Sequence, residues 1–152
     1  MPASTRRAFL SNSVLIGLAS GLASLSPALA QSAARLKFRE LYGQRMVFTD
    51  KVKQLAGQRV IMRGFMAPPL KPDAMFFIMT KMPMAICPFC DNEADWPDDI
   101  VLVRLRQPFE AVRFNKRIEV SGTLEVGLET DPETGFVSLL RIVDAEFKLA
   151  AA

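Results

Sequence analysis

The spacing of apolar positions along the chain changes character at Gly57. Before it, Leu36, Phe38, Leu41 and Tyr42, and then Val47, Val52 and Leu55, recur at mixed three- and four-residue intervals with Lys and Arg between them. That spacing predicts a short helix over 35–42 and a looser one over 49–56, ended by Gly57. After Gly57 the period shortens towards two. Arg59–Met66 alternates loosely and is rich in large apolar residues, so it predicts a strand. Pro68, Pro69 and Pro72 then force a loop, and Met75–Thr80 is an apolar run of strand length. Residues 81–99, holding Pro83, Pro88 and Pro97, predict an irregular connection.

Three further strands follow. Ile100–Leu105 is an unbroken apolar run, and Ile118–Val126 alternates cleanly. Phe136–Val143 comes after Thr130-Asp-Pro-Glu-Thr-Gly135, whose Pro and Gly predict a tight connection and hence a hairpin. Gly122, in mid-strand, predicts a bulge or a sharp coil. Five bent strands in about ninety residues predict a mainly β chain, closed as a small barrel of the oligonucleotide/oligosaccharide-binding (OB) type. The barrel is expected over 58–147, with short helical segments over 31–57 before it and a tail over 148–152. Val60, Ile61, Phe65, Phe77, Val101, Val103, Val120, Leu124, Val137 and Leu139 are its expected core positions.

The N-terminus carries an address. Ser4-Thr5-Arg6-Arg7-Ala8-Phe9-Leu10 precedes a weakly apolar stretch from Val14 to Leu25, and Pro27-Ala28-Leu29-Ala30 supplies a small-x-small ending. A charged start, a short apolar core and Ala28/Ala30 form an export signal, expected to be cut after Ala30. Adjacent Arg6 and Arg7 followed by x-Phe-Leu match the twin-arginine type. Ser20, Gly21, Ser24 and Ser26 interrupt the stretch, which falls short of the roughly 20 apolar residues of a spanning helix. Residues 31–152 are therefore expected to be periplasmic and to contain no transmembrane helix.

Removing that segment alters the charge. Arg6 and Arg7 are its only charged residues, so 17 basic and 16 acidic residues remain, a net of +1. The whole-chain isoelectric point of 9.1 thus overstates how basic the exported part is. A net charge so near zero does not call for a nucleic-acid partner.

The chemistry rests on sulfur. The chain has no histidine, and its two cysteines stand together as Cys87-Pro88-Phe89-Cys90. Such a pair can close a small disulfide, carry electrons or hold a soft metal. A thioredoxin-type site would place the first cysteine at the start of a helix whose N-terminus lowers its pKa. Here Asp91, Glu93 and Asp95 follow, opposing thiolate formation, and Pro97 leaves room for two helical turns at most. A soft-metal site would draw on Cys87, Cys90, Met82 and Met84, with Met79 nearby, and would select Cu(I). Zn(II) would need two of the neighbouring carboxylates in addition. In the plainest alternative the pair forms a local disulfide that stiffens the connection, and Phe89 and Trp96 form its contact surface, since tryptophan is enriched at binding hot spots. No Gly-x-Ser-x-Gly elbow, glycine-rich phosphate loop or outstanding carboxylate pair is present, which argues against an enzyme.

The segment Gly57-Gln-Arg-Val-Ile-Met-Arg-Gly-Phe-Met66, the cysteine segment, and the paired tail Val120-Ser-Gly-Thr-Leu124 with Gly135-Phe136 resemble a family of bacterial periplasmic proteins with OB-like domains. The likeness covers residues 48–147. It implies the same barrel and no particular activity; the expected fold and the missing catalytic motifs instead predict a non-enzymatic binding or accessory protein, with a periplasmic or membrane-associated protein as partner. The likeness implies no particular cofactor.

Overall fold

A computed structural model describes residues 32–69, 75–85, 96–132 and 134–151, all within one unit, Gln31–Ala152. The export segment, Cys87, Phe89 and Cys90 lie outside the described residues. The described chain is mainly β. Its strands are β1 (Ala34–Arg35), β2 (Arg59–Met66), β3 (Phe76–Thr80), β4 (Ile100–Leu105), β5 (Arg117–Thr130) and β6 (Val137–Leu149). One helix, α1 (Asp50–Leu55), precedes β2. The sheet runs β1-β2-β3-β4-β6-β5, and β5 also pairs with β2. Neighbours are antiparallel except for β1–β2 and β4–β6, which are parallel.

Each predicted strand is present, and β5 and β6 form the predicted antiparallel hairpin. Its connection is tied by Asp131, whose Oδ1 accepts from the Thr134 amide at 3.0 Å and the Thr134 hydroxyl at 2.8 Å. Gly135 sits there at φ 73°, a conformation that glycine adopts without steric cost. The Gly122 expectation also holds. Ser121 faces Glu146 while Thr123 faces Val143, so β6 carries one extra residue opposite Gly122. Asp144 absorbs the kink at φ 48°. A second irregularity lies between Val126 and Glu129, where Gly127 takes φ 124°. These bulges bend two long strands, and the bend lets β5 reach β2 as well as β6.

Three expectations need correction. No helix forms over 35–42. Ala34–Arg35 instead pairs with β2, and only a single 3₁₀ turn, Phe38–Glu40, follows. Leu36, Phe38 and Leu41 are all buried, but at spacings of two and three along an extended path rather than on one helical face. Second, β6 continues past Val143 to Leu149 because the bulge at Asp144 carries the ladder on. Third, Ile61, Phe65, Val137 and Leu139 are only half-buried. The interior positions of β2 are Val60, Met62 and Met66, with Gly64 among them, and those of β6 include Leu140 and Ile142. A one-residue error of phase moves every side chain to the other face.

Helix α1 forms where expected. Thr49 caps it, its Oγ1 accepting from the Val52 amide at 3.3 Å while its hydroxyl donates to the Glu40 carbonyl at 2.6 Å. Val52 is the helix's buried anchor. The main core lies between β2, β3, β4, β5 and β6, with Phe77, Met79, Val101, Val103, Val120 and Leu124 inside it. A second cluster, Ala67, Phe76, Ile78, Ile100 and Leu102, occupies the opposite face of β3 and β4. Both faces of these two strands are therefore buried, which explains their unbroken apolar runs.

Gly64 is where the core is tightest. A Cβ there would lie 2.7 Å from the Thr80 carbonyl oxygen, 2.8 Å from Met79 Cγ and 3.0 Å from the Phe38 ring. The nearest of these atoms is backbone and cannot swing aside. Gly64→Ala should therefore destabilise the protein by about 1–3 kcal/mol in a denaturant titration. A loss below about 0.5 kcal/mol, the range of ordinary surface changes, would show that β2 and β3 do not approach as described.

Candidate functional site

The connection between β3 and β4 leaves and returns at one place. The Lys81 amide donates to the Asp99 carbonyl at 3.0 Å. Thr80, fully buried at the end of β3, donates from its hydroxyl to the Met82 carbonyl at 2.6 Å. Thr80 thus fixes the first residues of the connection, and the amide bond ties its two feet together. Within this connection stand Cys87 and Cys90.

The second foot has an aromatic anchor. Trp96 Nε1–H donates to the Tyr42 hydroxyl at 3.0 Å. Tyr42 stacks on Phe48 at 4.9 Å between centroids, and the two residues form an isolated bridge that folds residues 42–48 back on themselves. On its other side Trp96 meets Phe136 edge-on at 6.2 Å, and Phe136 lies against Phe76 at 6.1 Å. Aromatic pairs of this geometry contribute about 0.5–1.5 kcal/mol each beyond their buried area. Trp96 therefore joins the N-terminal segment, the β5–β6 hairpin and the outer cluster of β3 and β4. Its role is cover and anchor, and only part of its surface faces solvent.

The methionines separate into two groups. Met79 is fully buried in the main core and is a packing residue. Met82 is 59% exposed just beyond the Thr80 clasp, and Met84 is half-buried. Cys87, Phe89 and Cys90 lie outside the described residues, so the structure places two of the four proposed sulfur ligands. Among the described residues no group of three His, Cys, Asp or Glu side chains is arranged to hold a metal ion.

The sequence offered no signal for Tyr42 as a site residue, because its partners, Trp96 and Phe48, are set by the tertiary fold. Burial is the main force on its phenol and pushes the pKa up to about 12; the Asp98 charge adds to this, while the Trp96 N–H opposes it. Tyr42 is the only tyrosine, so tyrosinate absorbance reports it alone. Because its folded pKa is raised, the stability it is linked to is intact below pH 10 and is lost as pH rises through about 12. Native protein should show tyrosinate only near pH 12, and unfolded protein near pH 10. Coincident titrations in the two states would contradict the buried Tyr42–Trp96 contact.

Comparison with known proteins bears on the fold. No family model matches the chain, and no curated protein matches it. Among solved structures it is similar to the crystal structure of a DUF3299 family protein from Pseudomonas aeruginosa PAO1, with a TM-score of 0.54 and 12% identity. The similarity covers 80% of this chain and 98% of that one. At that identity the likeness concerns the fold alone. Among the described residues no helix is long and apolar enough to cross a membrane.

Proposed function

We propose that the chain is an exported periplasmic binding or accessory protein on an OB-like barrel, with the connection over 81–99 as its contact surface. The barrel reading is supported by strand pairings that return to their start, β2-β3-β4-β6-β5 and back to β2, with β4 and β6 parallel. OB-like barrels commonly bind through connecting loops, and fold alone does not name the ligand. The observation that carries the functional proposal is the double fixation of the connection, by the Lys81–Asp99 and Thr80–Met82 hydrogen bonds at its feet and by Trp96 on Tyr42. Fixing the described ends of the connection, 81–85 and 96–99, lowers the ordering cost of those ends when a partner is met. The partner proposed is a periplasmic or membrane-associated protein. In this reading Cys87 and Cys90 form a local disulfide, and Phe89 and Trp96 contribute apolar contact.

One observation favours a second reading, in which the segment handles Cu(I) or Zn(II) or exchanges electrons. The Met82 thioether is 59% exposed in the same connection as the thiols, where a soft metal would find it. Titration of the reduced protein with Cu(I) and Zn(II), combined with the reduction potential of the cysteine pair, separates the two. A structural disulfide should lie below about −300 mV and take up no metal, whereas a working redox pair lies well above that value. Tight metal uptake that disappears in C87S/C90S would establish the metal reading instead.

Export is tested separately. Replacing Arg6 and Arg7 by lysine should abolish appearance of the protein in the periplasm if the signal is of the twin-arginine type. Unchanged export of that variant would leave the general secretory route.

A further inference from the structure

A groove of about 330 Å³ opens on the outer face of β1 and β2, beside the first foot of the 81–99 connection. Six cationic side chains line it, Arg35, Lys37, Arg39, Arg63, Lys81 and Arg117, and no acid does. From Gln31 onward there are 17 basic and 16 acidic residues, so the rest of that part holds eleven cations against sixteen acids. A nearly neutral protein has thus gathered a large share of its positive charge on one concave surface. Gathered like charges repel one another, and a bound anion relieves that cost.

The protein's own acids neutralise little of it. Glu119, just beside the groove, accepts from Arg63 at 2.8 Å and lies 3.6 Å from Arg35 and 3.4 Å from Lys148. The Arg63 hydrogen bond is the main reason its carboxyl is held below the ordinary carboxylate range. One carboxylate therefore serves three cations. Glu40 lies beside Lys37 and accepts from its amide at 2.9 Å, while it pairs with Lys51 at 3.0 Å. Arg39, Lys81 and Arg117 have no carboxylate in ion-pair contact among the described residues. Arg117 is instead held over the Phe65 ring, 5.4 Å from its centroid, so its charge is positioned in advance. Half-buried Ile61 and Phe65 give the groove an apolar wall.

We propose that this groove binds a phosphate-bearing anion carrying at least two negative charges, in the manner of an organic phosphate or diphosphate. Four of the six cations are guanidinium groups, whose planar forks match phosphate oxygens in pairs. A single carboxylate would leave most of the charge unmet. A groove of this volume also has room beyond the anion for an organic portion against Ile61 and Phe65. The phosphate has two sources, a free compound or a lipid headgroup. The site does not depend on the state of Cys87 and Cys90, so it stands or falls apart from the loop proposal.

The test is calorimetric titration with inorganic pyrophosphate at low ionic strength, paired with sedimentation of phosphatidylcholine vesicles with and without cardiolipin, whose headgroup carries two phosphates. Pyrophosphate should bind, and more weakly as salt rises. Arg39→Glu with Lys81→Glu, two exposed side chains, should weaken binding at least tenfold. Arg45→Glu with Lys53→Glu, the same charge change away from the groove, should leave it within about twofold. Arg39→Gln with Lys81→Gln serves if the reversal disturbs folding. Pyrophosphate binding identifies a free phosphate as the source; capture only by cardiolipin vesicles, lost in the groove variant, identifies a headgroup. Failure to bind either probe, or equal losses in the groove and control variants, would overturn the proposal.

Discussion

The structure depends on the contact between β2 and β5. Seven consecutive residue pairs, from Arg59↔Thr123 to Phe65↔Arg117, join the first long strand to one lying more than fifty residues later. Without that ladder, β2 and β5 would be exposed edges of a twisted sheet, with backbone groups unpaired. Two glycines within that ladder let its strands pack closely on their other neighbours, β3 and β6. Gly64 lies against Thr80 and Met79, and Gly122 lies against the backbone at Val143 and Ala145. At each, a Cβ would come within 3.0 Å of backbone, so the close approach requires the missing side chain.

Polar groups are arranged around that closure rather than inside it. Thr80, Ser138, Asp131 and Arg141 are buried exceptions, and the side chain of Arg141 is 6% exposed. Its guanidinium donates to the carbonyls of Gly127 and Ser138, at 2.8 and 3.3 Å, and pairs with Glu125 and Glu129 at 3.3 and 3.2 Å. Because the second bulge turns the Gly127 carbonyl towards this guanidinium, the feature that bends β5 also satisfies the buried charge. Glu129 also takes Arg104 at 2.9 Å, which links β4 to the hairpin. In that network two cations meet three carboxylates, Glu125, Glu129 and Asp131, whereas in the β1–β2 groove cations outnumber the acids beside them. The contrast separates a structural ion network from a surface suited to a ligand.

Sequence reasoning captured what is local. Strand positions, the hairpin, the helix stopped at Gly57, and the irregularity at Gly122 all follow from period, turn chemistry and glycine. What it missed is tertiary. Ile61 and Phe65 look like core residues, yet the N-terminal segment and Arg117 cover them from outside. Val137 and Leu139 look like the inner face of β6, yet buried Ser138 and Arg141 reverse the expected polarity there. Leu36 and Phe38 mimic a helix because they plug the sheet from an extended path. The basic groove is illegible for the same reason: Arg35, Lys37 and Arg39 are close in sequence, but Arg63, Lys81 and Arg117 reach them only through strand pairing. Of the candidate site, Trp96 and Met82 were legible as chemistry; the Tyr42 anchor was not.

Closure of the sheet through β2 and β5 is the claim on which both proposed surfaces rest, and native-state amide hydrogen exchange tests it most directly. Ladder amides within 59–65 and 117–123 should belong to the slowest class and open only with global unfolding, alongside those of β3 and β4. The feet of the connection, at Lys81 and Asp99, should exchange faster by local opening. Exchange in the β2–β5 ladder as fast as at those feet would mean that the sheet is open, and would contradict the account.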